Sequence, residues 1–347
     1  MISTTMSDFF SLTKPRVVIL LQITAICAVF VHESLEGSLS EGSAETMLVV
    51  LIGGYLTAGG ANAINMWYDR DIDPMMRRTE KRAIPMGKVS PESALFFGIS
   101  ISAVGVAWFY FMSNEVAAFW SAFSILFYVL IYSMWLKRST PQNIVIGGIA
   151  GSTPPVIGWA ASVEGLSISN NSLEASIESL FDLGSPIPWF MFILIFLWTP
   201  PHFWALALYK SKEYAEVGVP MLPNVKGPER TITEMKVYSI LLIMLSFFAP
   251  LSFGEIEVNE RDYHVLSWTI IGLSIWYAST VWRIDISEIP DESGRIVSAA
   301  NSFFVSMLYL ALMFVVLVTG SIGQVGTGFG AVVCLAFIGR TEFKVSS

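Results

Sequence analysis

Long apolar runs separated by short polar segments make up most of the chain. A helix that crosses the hydrocarbon core of a bilayer needs about 20 mostly apolar residues. Nine runs approach or exceed that length, at residues 16–32, 46–67, 93–112, 115–135, 142–162, 188–209, 236–254, 264–283 and 300–321. Because backbone groups must be hydrogen-bonded in lipid and these runs are too long for barrel strands, we predict nine spanning helices. The pattern indicates an all-α membrane protein, with residues 1–347 forming one domain.

Glycine and proline interrupt several of these runs. Glycine pairs at 53–54, 59–60 and 147–148 favour close helix packing, and Pro154 with Pro155 predicts a kink in the fifth span. A last apolar stretch, residues 326–339, is rich in glycine and short for a span. We interpret it as an interfacial segment or a partial tenth helix.

The composition agrees with a membrane protein. Hydrophobic residues make up 54% of the chain and charged residues only 14%, whereas soluble domains carry about 25% charged residues. The mean hydropathy is +0.61. The net charge of −8 says little about partners, and nothing points to nucleic acid. Cys27 and Cys334 both lie in apolar runs, so no disulfide or paired metal spacing is expected.

The basic residues are distributed unevenly between the two sides. With nine spans, 17 of the 20 lysines and arginines fall on the side of the N-terminus, and Arg261, Arg340 and Lys344 fall on the other. The positive-inside rule therefore predicts a cytoplasmic N-terminus and cytoplasmic loops after the even-numbered spans. The polar N-terminus lacks a cleavage site, so we expect the first run to be retained in a plasma membrane.

The segment 62–85 contains the first chemical constellation. Asn65, Asp69 and Asp73 recur every four residues, so on a helix they share one face, and clustered hard oxygen ligands suit Mg²⁺. Asn62 precedes them inside the apolar run, where polar groups are costly and usually functional. Asp71 lies off that face.

Basic residues follow these carboxylates at once. They are Arg70, Arg77, Arg78, Lys81 and Arg82. Guanidinium groups beside a metal suit an anion, so the segment predicts a site for Mg²⁺ and a diphosphate. A juxtamembrane charged cap would explain the basic residues but not the acids and amides that continue the span.

The segment 202–230, which follows the sixth span, lies on the same predicted side. Glu213 is a candidate second metal contact. Candidate phosphate or ring contacts are Tyr209, Lys210, Lys212, Tyr214, Lys226 and Arg230. A plain solvated loop explains the same residues.

His202 follows Thr199-Pro-Pro inside the sixth span. It is either a hydrogen-bonded core residue, a ligand to a haem iron, or a contact to a haem propionate. Lys14 and Arg16 at the inner mouth of the first span, and Lys137 with Arg138 after the fourth, are either site residues or topology anchors.

The motif Asn-x-x-x-Asp-x-x-x-Asp at 65–73 resembles the signature of the UbiA superfamily of intramembrane aromatic prenyltransferases. Within it, the string 65–85 is similar to the protohaem IX farnesyltransferase (haem O synthase) branch. Three further motifs carry the same resemblance, at 13–16, 202–207 and 219–223. The resemblance covers residues 12–235.

This resemblance implies a nine-helix bundle with a central cavity and Mg²⁺ between two carboxylate motifs at its cytoplasmic mouth. It implies that Asn65, Asp69, Asp73 and Glu213 hold the metal and that Arg78 and Arg82 bind diphosphate. The reaction it implies joins farnesyl diphosphate to the 2-vinyl group of haem b, with water completing a hydroxyethylfarnesyl group. Expected partners are farnesyl diphosphate, haem b and the bilayer, with a haem A synthase or oxidase assembly proteins downstream.

One position departs from the superfamily pattern. Its second motif is commonly Asp-x-x-x-Asp, whereas Tyr209 and Glu213 stand at the matching positions. This favours the haem branch and leaves the second metal's ligands open. The alternatives are a prenyltransferase for a quinone precursor or a chlorin, and a cation transporter. A transporter would place acids at mid-membrane, whereas these acids cluster at one face.

Overall fold

The structure, a computed structural model, describes residues 5–37, 39, 41–77, 79–209, 219–252, 260–288 and 296–346. Helices account for its regular structure throughout these ranges. In chain order they are α1 Met6–Leu12, α2 Pro15–Leu35, α3 Glu41–Tyr68, α4 Pro91–Met112, α5 Glu115–Leu126, α6 Asn143–Ser152, α7 Pro154–Ser162, α8 Leu173–Phe181, α9 Ile187–Tyr209, α10 Leu222–Lys226, α11 Pro228–Ser246, α12 Ala249–Ser252, α13 Glu260–Trp282, α14 Val297–Ser321 and α15 Gln324–Ser346.

Close helix pairs build the bundle. α3 packs along α4 and α2 along α7, while α9 contacts α6, α7, α11 and α14. A Cβ added at Gly60 would lie 2.8 Å from the carbonyl oxygen of Gly98, and one at Gly158 would lie 2.3 Å from that of Ala25. Small residues therefore let the backbones approach closely, as the glycine-interrupted runs predict.

Nine helices within the described ranges are long and apolar enough to cross a membrane, which confirms the predicted all-α fold. Eight of them match predicted spans. The seventh predicted span, 236–254, differs, because α11 begins at Pro228 with four charged residues in its first half and ends at Ser246. The fifth contains the expected break, where α6 ends at Ser152 and α7 begins at Pro154. The central cavity stays a prediction.

The ninth long apolar helix is α15, which is longer than the segment 326–339 that the sequence indicated as interfacial or as a partial tenth helix. Its first part docks on α14 through a Gly-x-x-x-Gly pair: Cβ atoms at Gly326 and Gly330 would lie 2.1 Å and 2.2 Å from Thr319 oxygens. The glycines lower the hydropathy of the segment but allow this contact.

The end of α15 lies at the same end of the bundle as the end of α13. The Glu342 carboxylate is 2.6 Å from the Arg283 guanidinium and accepts a 2.8 Å hydrogen bond from the Trp276 indole. Arg340 therefore lies on the face of Arg283, not on the opposite face as nine spans predicted. The predicted charge asymmetry increases when α11 and α15 are both counted as crossings.

The fourth span changes its helical geometry before it ends. α5 is followed by a π-helix, Phe127–Trp135, and by a 3₁₀ turn, Leu136–Arg138. Wide π turns occur mostly as short insertions near functional sites. Here the turn directs Ser133 and Lys137 toward the end of α3.

The segment between the fifth and sixth predicted spans contains the amphipathic helix α8. Leu173, Ile177 and Phe181 form its exposed apolar stripe. Tryptophan indoles anchor its C-terminal end, since Trp120 donates to the Leu180 carbonyl and Trp189 to the Phe181 carbonyl, each at 2.9 Å.

Candidate active site

The first acidic motif lies where α3 ends. The helix stops at Tyr68, and Asp69–Asp71 and Asp73–Met75 form 3₁₀ turns. The expectation of one helical face was therefore wrong beyond Tyr68. Pro74 contributes, because a residue before proline is disfavoured in the α region. Asp69 and Asp73 are nevertheless buried, with 1% and 2% exposure.

A chain of polar contacts joins α2, α3 and the π-helix. The Lys14 ammonium donates a 2.7 Å hydrogen bond to Oδ1 of Asn65, and the Asn65 amide donates to Asp69 at 3.0 Å and to Ser133 at 2.9 Å. Ser133 in turn donates to the carbonyl of Tyr128, five residues earlier, at 2.9 Å. The π-turn thus fixes the hydroxyl that orients Asn65.

Lys137 supplies the cation for Asp69. Its ammonium is paired with Oδ2 of the carboxylate, and the Arg138 guanidinium lies 3.7 Å from Oδ1. The sequence left Lys137 and Arg138 open between anchors and site residues, so their place beside the acid was not predicted. The sequence feature that could have indicated this contact is the pair of basic residues directly after a span, on the same predicted side as the acidic motif.

Asp73 is paired separately with Arg82. One guanidinium nitrogen lies 2.8 Å and 2.7 Å from the two carboxylate oxygens. The Thr79 hydroxyl donates to the Asp73 backbone carbonyl at 2.7 Å and fixes the turn between them. Arg82 therefore lies beside the acidic motif, where it is paired with Asp73 rather than free for an anion.

Lys14 lies at the centre of this charge distribution. Burial lowers the pKa of its ammonium to about 7. The positive charges of Arg82 and Lys137 also lower this pKa, whereas the carboxylates of Asp69 and Asp73 oppose the shift. Its backbone has φ 51°, in the left-handed region, immediately before α2. Strained residues of this kind concentrate at functional sites. An arriving anion would favour the protonated form.

Asp71, which the sequence left unassigned, lies outside this buried network. It is bound by two nitrogens of Arg138 at 2.6 Å and 2.7 Å, and its side chain is 57% exposed. The guanidinium also lies over the Tyr68 ring, 4.8 Å from its centroid. This pair holds the start of the 3₁₀ turn against the end of the fourth span.

The donor set is compatible with a hard cation. Oδ1 of Asp69 is buried and accepts no hydrogen bond from the residues described here. The oxygens of Asp73 and Oδ1 of Asn65 face ammonium or guanidinium groups, so their cations are replaceable by a metal. No group of three His, Cys, Asp or Glu side chains comes together in the described part of the chain. The carboxylates and the Asn65 amide are the ligands that Mg²⁺ prefers.

His202 lies deeper, in α9, and is 7% exposed. Its ring is stacked between Trp198 and Phe303, with centroid distances of 4.2 Å and 4.7 Å. Its Nδ1 is hydrogen-bonded with the Ser306 hydroxyl at 2.6 Å.

The other predicted contacts are dispersed. The Asn62 amide donates to the Thr13 carbonyl at 3.1 Å and anchors the segment before α2. Arg70 donates to the Trp67 carbonyl at 2.8 Å, while Arg16 and Lys226 are exposed. Among the described residues, neither the Asn62 nor the Arg70 side chain forms a hydrogen bond or ion pair with Asp69 or Asp73. Several predicted residues lie outside the described residues, namely Arg78, Lys210, Lys212, Glu213 and Tyr214.

Comparison with known proteins identifies the family. The model of the UbiA prenyltransferase family matches residues 21–293. The chain belongs to the UbiA prenyltransferase family. The chain is therefore that of a prenyltransferase, and α14 and α15 lie beyond the part that defines the family.

Relatives of this UbiA member extend over nearly its whole length. The protoheme IX farnesyltransferase of Bartonella tribocorum is 40% identical over 313 residues, which is 89% of this chain and 88% of that protein. The protein of the same name from Sinorhizobium fredii is 41% identical over 310 residues, covering 88% of this chain and 86% of that protein.

Solved structures show that the fold is shared within the UbiA family. A digeranylgeranylglyceryl phosphate synthase superposes with a TM-score of 0.68 at 15% identity, covering 91% of this chain and 98% of that chain. A UbiA homologue from Archaeoglobus fulgidus, solved with DMAPP and Mg²⁺, gives 0.58 at 17% identity and covers 91% and 99%.

Proposed function

We propose that this chain transfers the farnesyl group of farnesyl diphosphate to haem b, giving haem O and diphosphate. The observation that carries the proposal is the 40% identity, along 89% of the chain, to a protein named protoheme IX farnesyltransferase. The quinone, chlorin and transporter alternatives have no comparable support.

The buried cations suit the leaving group of such a reaction. When the bond between C1 and the diphosphate oxygen breaks, the electron pair stays on the diphosphate, whose negative charge grows. Lys14, Lys137 and Arg82 converge on the acidic motif and can each donate to that anion. Preorganised donors at a site of developing charge contribute strongly to catalysis, about 2.7–4 kcal/mol for one donor.

Magnesium is the expected cofactor, held by Asn65, Asp69 and Asp73, with Glu213 as the predicted contact from the second loop. A relative of the same fold was solved with DMAPP and Mg²⁺. Bound there, the metal would neutralise diphosphate charge and act as a Lewis acid. Lys137 and Arg82 would then move from the carboxylates to the substrate. These cations therefore hold the acids in place before binding and hold the anion afterwards.

The acceptor half requires an apolar environment within the bundle. The π electrons of the 2-vinyl group attack C1, and water adds to the resulting cation and loses a proton, which gives the hydroxyethylfarnesyl group. The candidate substrate contacts remain His202, Arg16, Arg70, Lys212, Tyr214, Lys226, Asn62 and Lys14.

We infer a multi-pass plasma-membrane protein with its N-terminus and site in the cytoplasm. With α11 and α15 both counted as crossings, 19 of the 20 basic residues fall on that side.

The direct test combines both substrates. Purified protein in detergent, incubated with haem b, farnesyl diphosphate and Mg²⁺, is expected to yield haem O by mass spectrometry, and chelation should abolish the product. Parallel incubations replace haem b with a quinone precursor. A prenylated quinone precursor without haem O would refute the proposal, and Asp69→Asn serves as the inactive control.

A further inference from the structure

We propose that the flank of the bundle between α5 and α9 binds one two-chain phospholipid whose headgroup carries an amine and no net charge. The two acyl chains lie in two adjoining apolar hollows, and the headgroup lies beside the acidic end of α8. The inference goes beyond the proposed function and requires neither haem b nor farnesyl diphosphate.

The first hollow lies between α5, α8 and α9. Its volume is about 570 Å³, within the range of about 300–1,000 Å³ that is usual for ligand sites. Only apolar atoms are exposed inside it, so it offers nothing to a polar ligand. Its lining includes Phe119, Phe123, Trp189, Phe192, Ile193 and Phe196.

The second hollow follows α5 into the π-helix. Its volume is about 390 Å³, and it extends from Phe119 to Ile131. The two hollows share Phe119 and Phe123, whose rings are stacked with centroids 6.4 Å apart and planes at 18°. Two hollows on a common aromatic wall suit the two chains of a single lipid.

Both hollows open on a surface that faces the bilayer. The fourth and sixth predicted spans, which carry them, are long and apolar enough to cross a membrane. Leu126 and Ile193 in their walls are 56% and 40% exposed. The Trp120 ring makes edge contacts with Phe181 and Trp189, at 5.4 Å each, and fixes the wall beside α8. A recess with fixed walls holds an acyl chain in a defined place, which a flat lipid-facing surface does not.

The helix α8 lies at the depth of the lipid headgroups. It is amphipathic, as helices that lie in the plane of the interface are, and it is anchored by Trp120 and Trp189, a residue type enriched at that depth. From Trp120 to Ile131 the chain advances eleven residues, about 16 Å, and one leaflet of the hydrocarbon core is about 15 Å deep. The hollows therefore match the length of acyl chains that begin at α8.

The end of the hollows beside α8 is remote from the acidic motif. Lys137, which pairs with Asp69, lies seventeen residues after Trp120, about 25 Å along the helix. A lipid with its headgroup at α8 is therefore distinct from a diphosphate bound at the acidic motif.

Charge around α8 selects the headgroup. Glu174, Glu178 and Asp182 are exposed, and residues 139–209 contain no lysine or arginine. Phe181, between Glu178 and Asp182 in the chain, lines the first hollow, so these carboxylates lie at its mouth. Like charges at a membrane surface repel and opposite charges attract, so an ammonium group is favoured here and an anionic headgroup is not.

The test compares lipids on the purified full-length protein after lipid has been removed in detergent. Native mass spectrometry measures the binding of dioleoyl phosphatidylethanolamine, dioleoyl phosphatidylglycerol and the single-chain lysophosphatidylethanolamine. Wild-type protein should bind one phosphatidylethanolamine about fivefold more tightly than phosphatidylglycerol, the effect of one charge contact at a membrane surface. It should also prefer the two-chain lipid to the single-chain lipid.

Variants in the hollows test where the chains lie. Ile193→Trp fills the first hollow and should abolish retention of phosphatidylethanolamine. Leu126→Trp fills the second hollow and should remove the preference for two chains. The matched control is Ile99→Trp, since Ile99 is 54% exposed on α4 and lines neither hollow. Circular dichroism and Tm establish that each variant is folded.

A charge reversal tests the headgroup. Glu178→Lys should reverse the preference between phosphatidylethanolamine and phosphatidylglycerol. Glu92→Lys makes the same change at the start of α4, near the acidic motif, and should leave the preference unaltered.

Three results would overturn the proposal. Equal lipid loss in Ile193→Trp and Ile99→Trp would show only the general lipid layer around the protein. Equal affinity of wild-type protein for phosphatidylethanolamine and phosphatidylglycerol would exclude the headgroup assignment. A wild-type dimer that Ile193→Trp dissociates would show that a second copy of the chain covers this flank. Haem O formation is measured separately, so failure of the proposed function leaves these outcomes unchanged.

Discussion

The pair formed by Arg82 and Asp73 offers a quantitative test of the site. Asp73 is 2% exposed and both its oxygens lie within 2.8 Å of one guanidinium nitrogen. Removing one partner of a buried ion pair costs about 3–5 kcal/mol. Because the Arg82 side chain is 21% exposed, we expect the lower end, about 3 kcal/mol, for Arg82→Met.

Thermal unfolding of the purified protein without Mg²⁺ measures this loss. For a large chain, 1 kcal/mol corresponds to roughly 2 °C, so Arg82→Met should lower Tm by roughly 6 °C. The matched control is Arg283→Met, since the Arg283 pair with Glu342 is 48% and 35% exposed. Exposed pairs contribute about 0–1 kcal/mol, so its Tm should fall by roughly 2 °C or less.

Magnesium then tests whether Asp73 is a ligand. At a concentration of 100 times its Kd, a bound ion stabilises the folded protein by about 2.7 kcal/mol. Magnesium should therefore raise the Tm of the wild-type protein. It should also raise the Tm of Arg82→Met, because the metal replaces the cation that this variant has lost. Asp73→Asn should lose most of this gain. Equal magnesium stabilisation of Asp73→Asn and wild type would remove Asp73 from the metal site. Equal losses of Tm in Arg82→Met and Arg283→Met would refute the burial argument.

Three further predictions concern other parts of the chain. Asp69→Asn should abolish haem O formation while the protein remains folded by Tm, and unchanged turnover would exclude it from the site. Lys137→Met should lower kcat about 10²- to 10³-fold in the same assay, as loss of a donor to developing charge does, with Lys137→Arg retaining part of the rate; equal kcat in Lys137→Met and wild type would return Lys137 to a topology anchor. Gly330→Leu should lower Tm through overpacking of about 1–3 kcal/mol against Thr319, whereas Gly328→Leu, with open space around it, should not; equal Tm values would show that α15 is not docked as described.

The acids were predictable because polar residues inside an apolar run stand out. Asn65 lies in the last turn of α3, as the apolar run predicts, and Asp69 follows the helix directly in a 3₁₀ turn. The i+8 position of Asp73 was not on that helix, since the chain turns at Tyr68 before Pro74. Asp73 is nevertheless buried beside the site, because it is paired with Arg82, which the four-residue spacing does not indicate.

The residues that the fourth span contributes to the site could not be predicted from the sequence in this way. Lys137 reaches Asp69 because the chain is wound as a π-helix from Phe127 to Trp135, and Ser133 bonds across that wide turn. Hydropathy and periodicity assume one helical pitch, so they do not indicate which residues such a segment directs inward. The C-terminal helix was missed for a related reason, since Gly326 and Gly330 lower its hydropathy while enabling its packing.

The position of the end of α15 beside α13 has a consequence for how this protein could be joined to others. The Thr13–Asn62 contact lies directly after α1, and the Arg283–Glu342 pair lies at the end of α15, both on the face that the basic residues predict to be cytoplasmic, where the acidic site also lies. A second enzyme joined to either end by a short flexible linker would be held near that face at an effective concentration on the order of millimolar. Proximity to a consumer of the product would then need no dedicated docking surface.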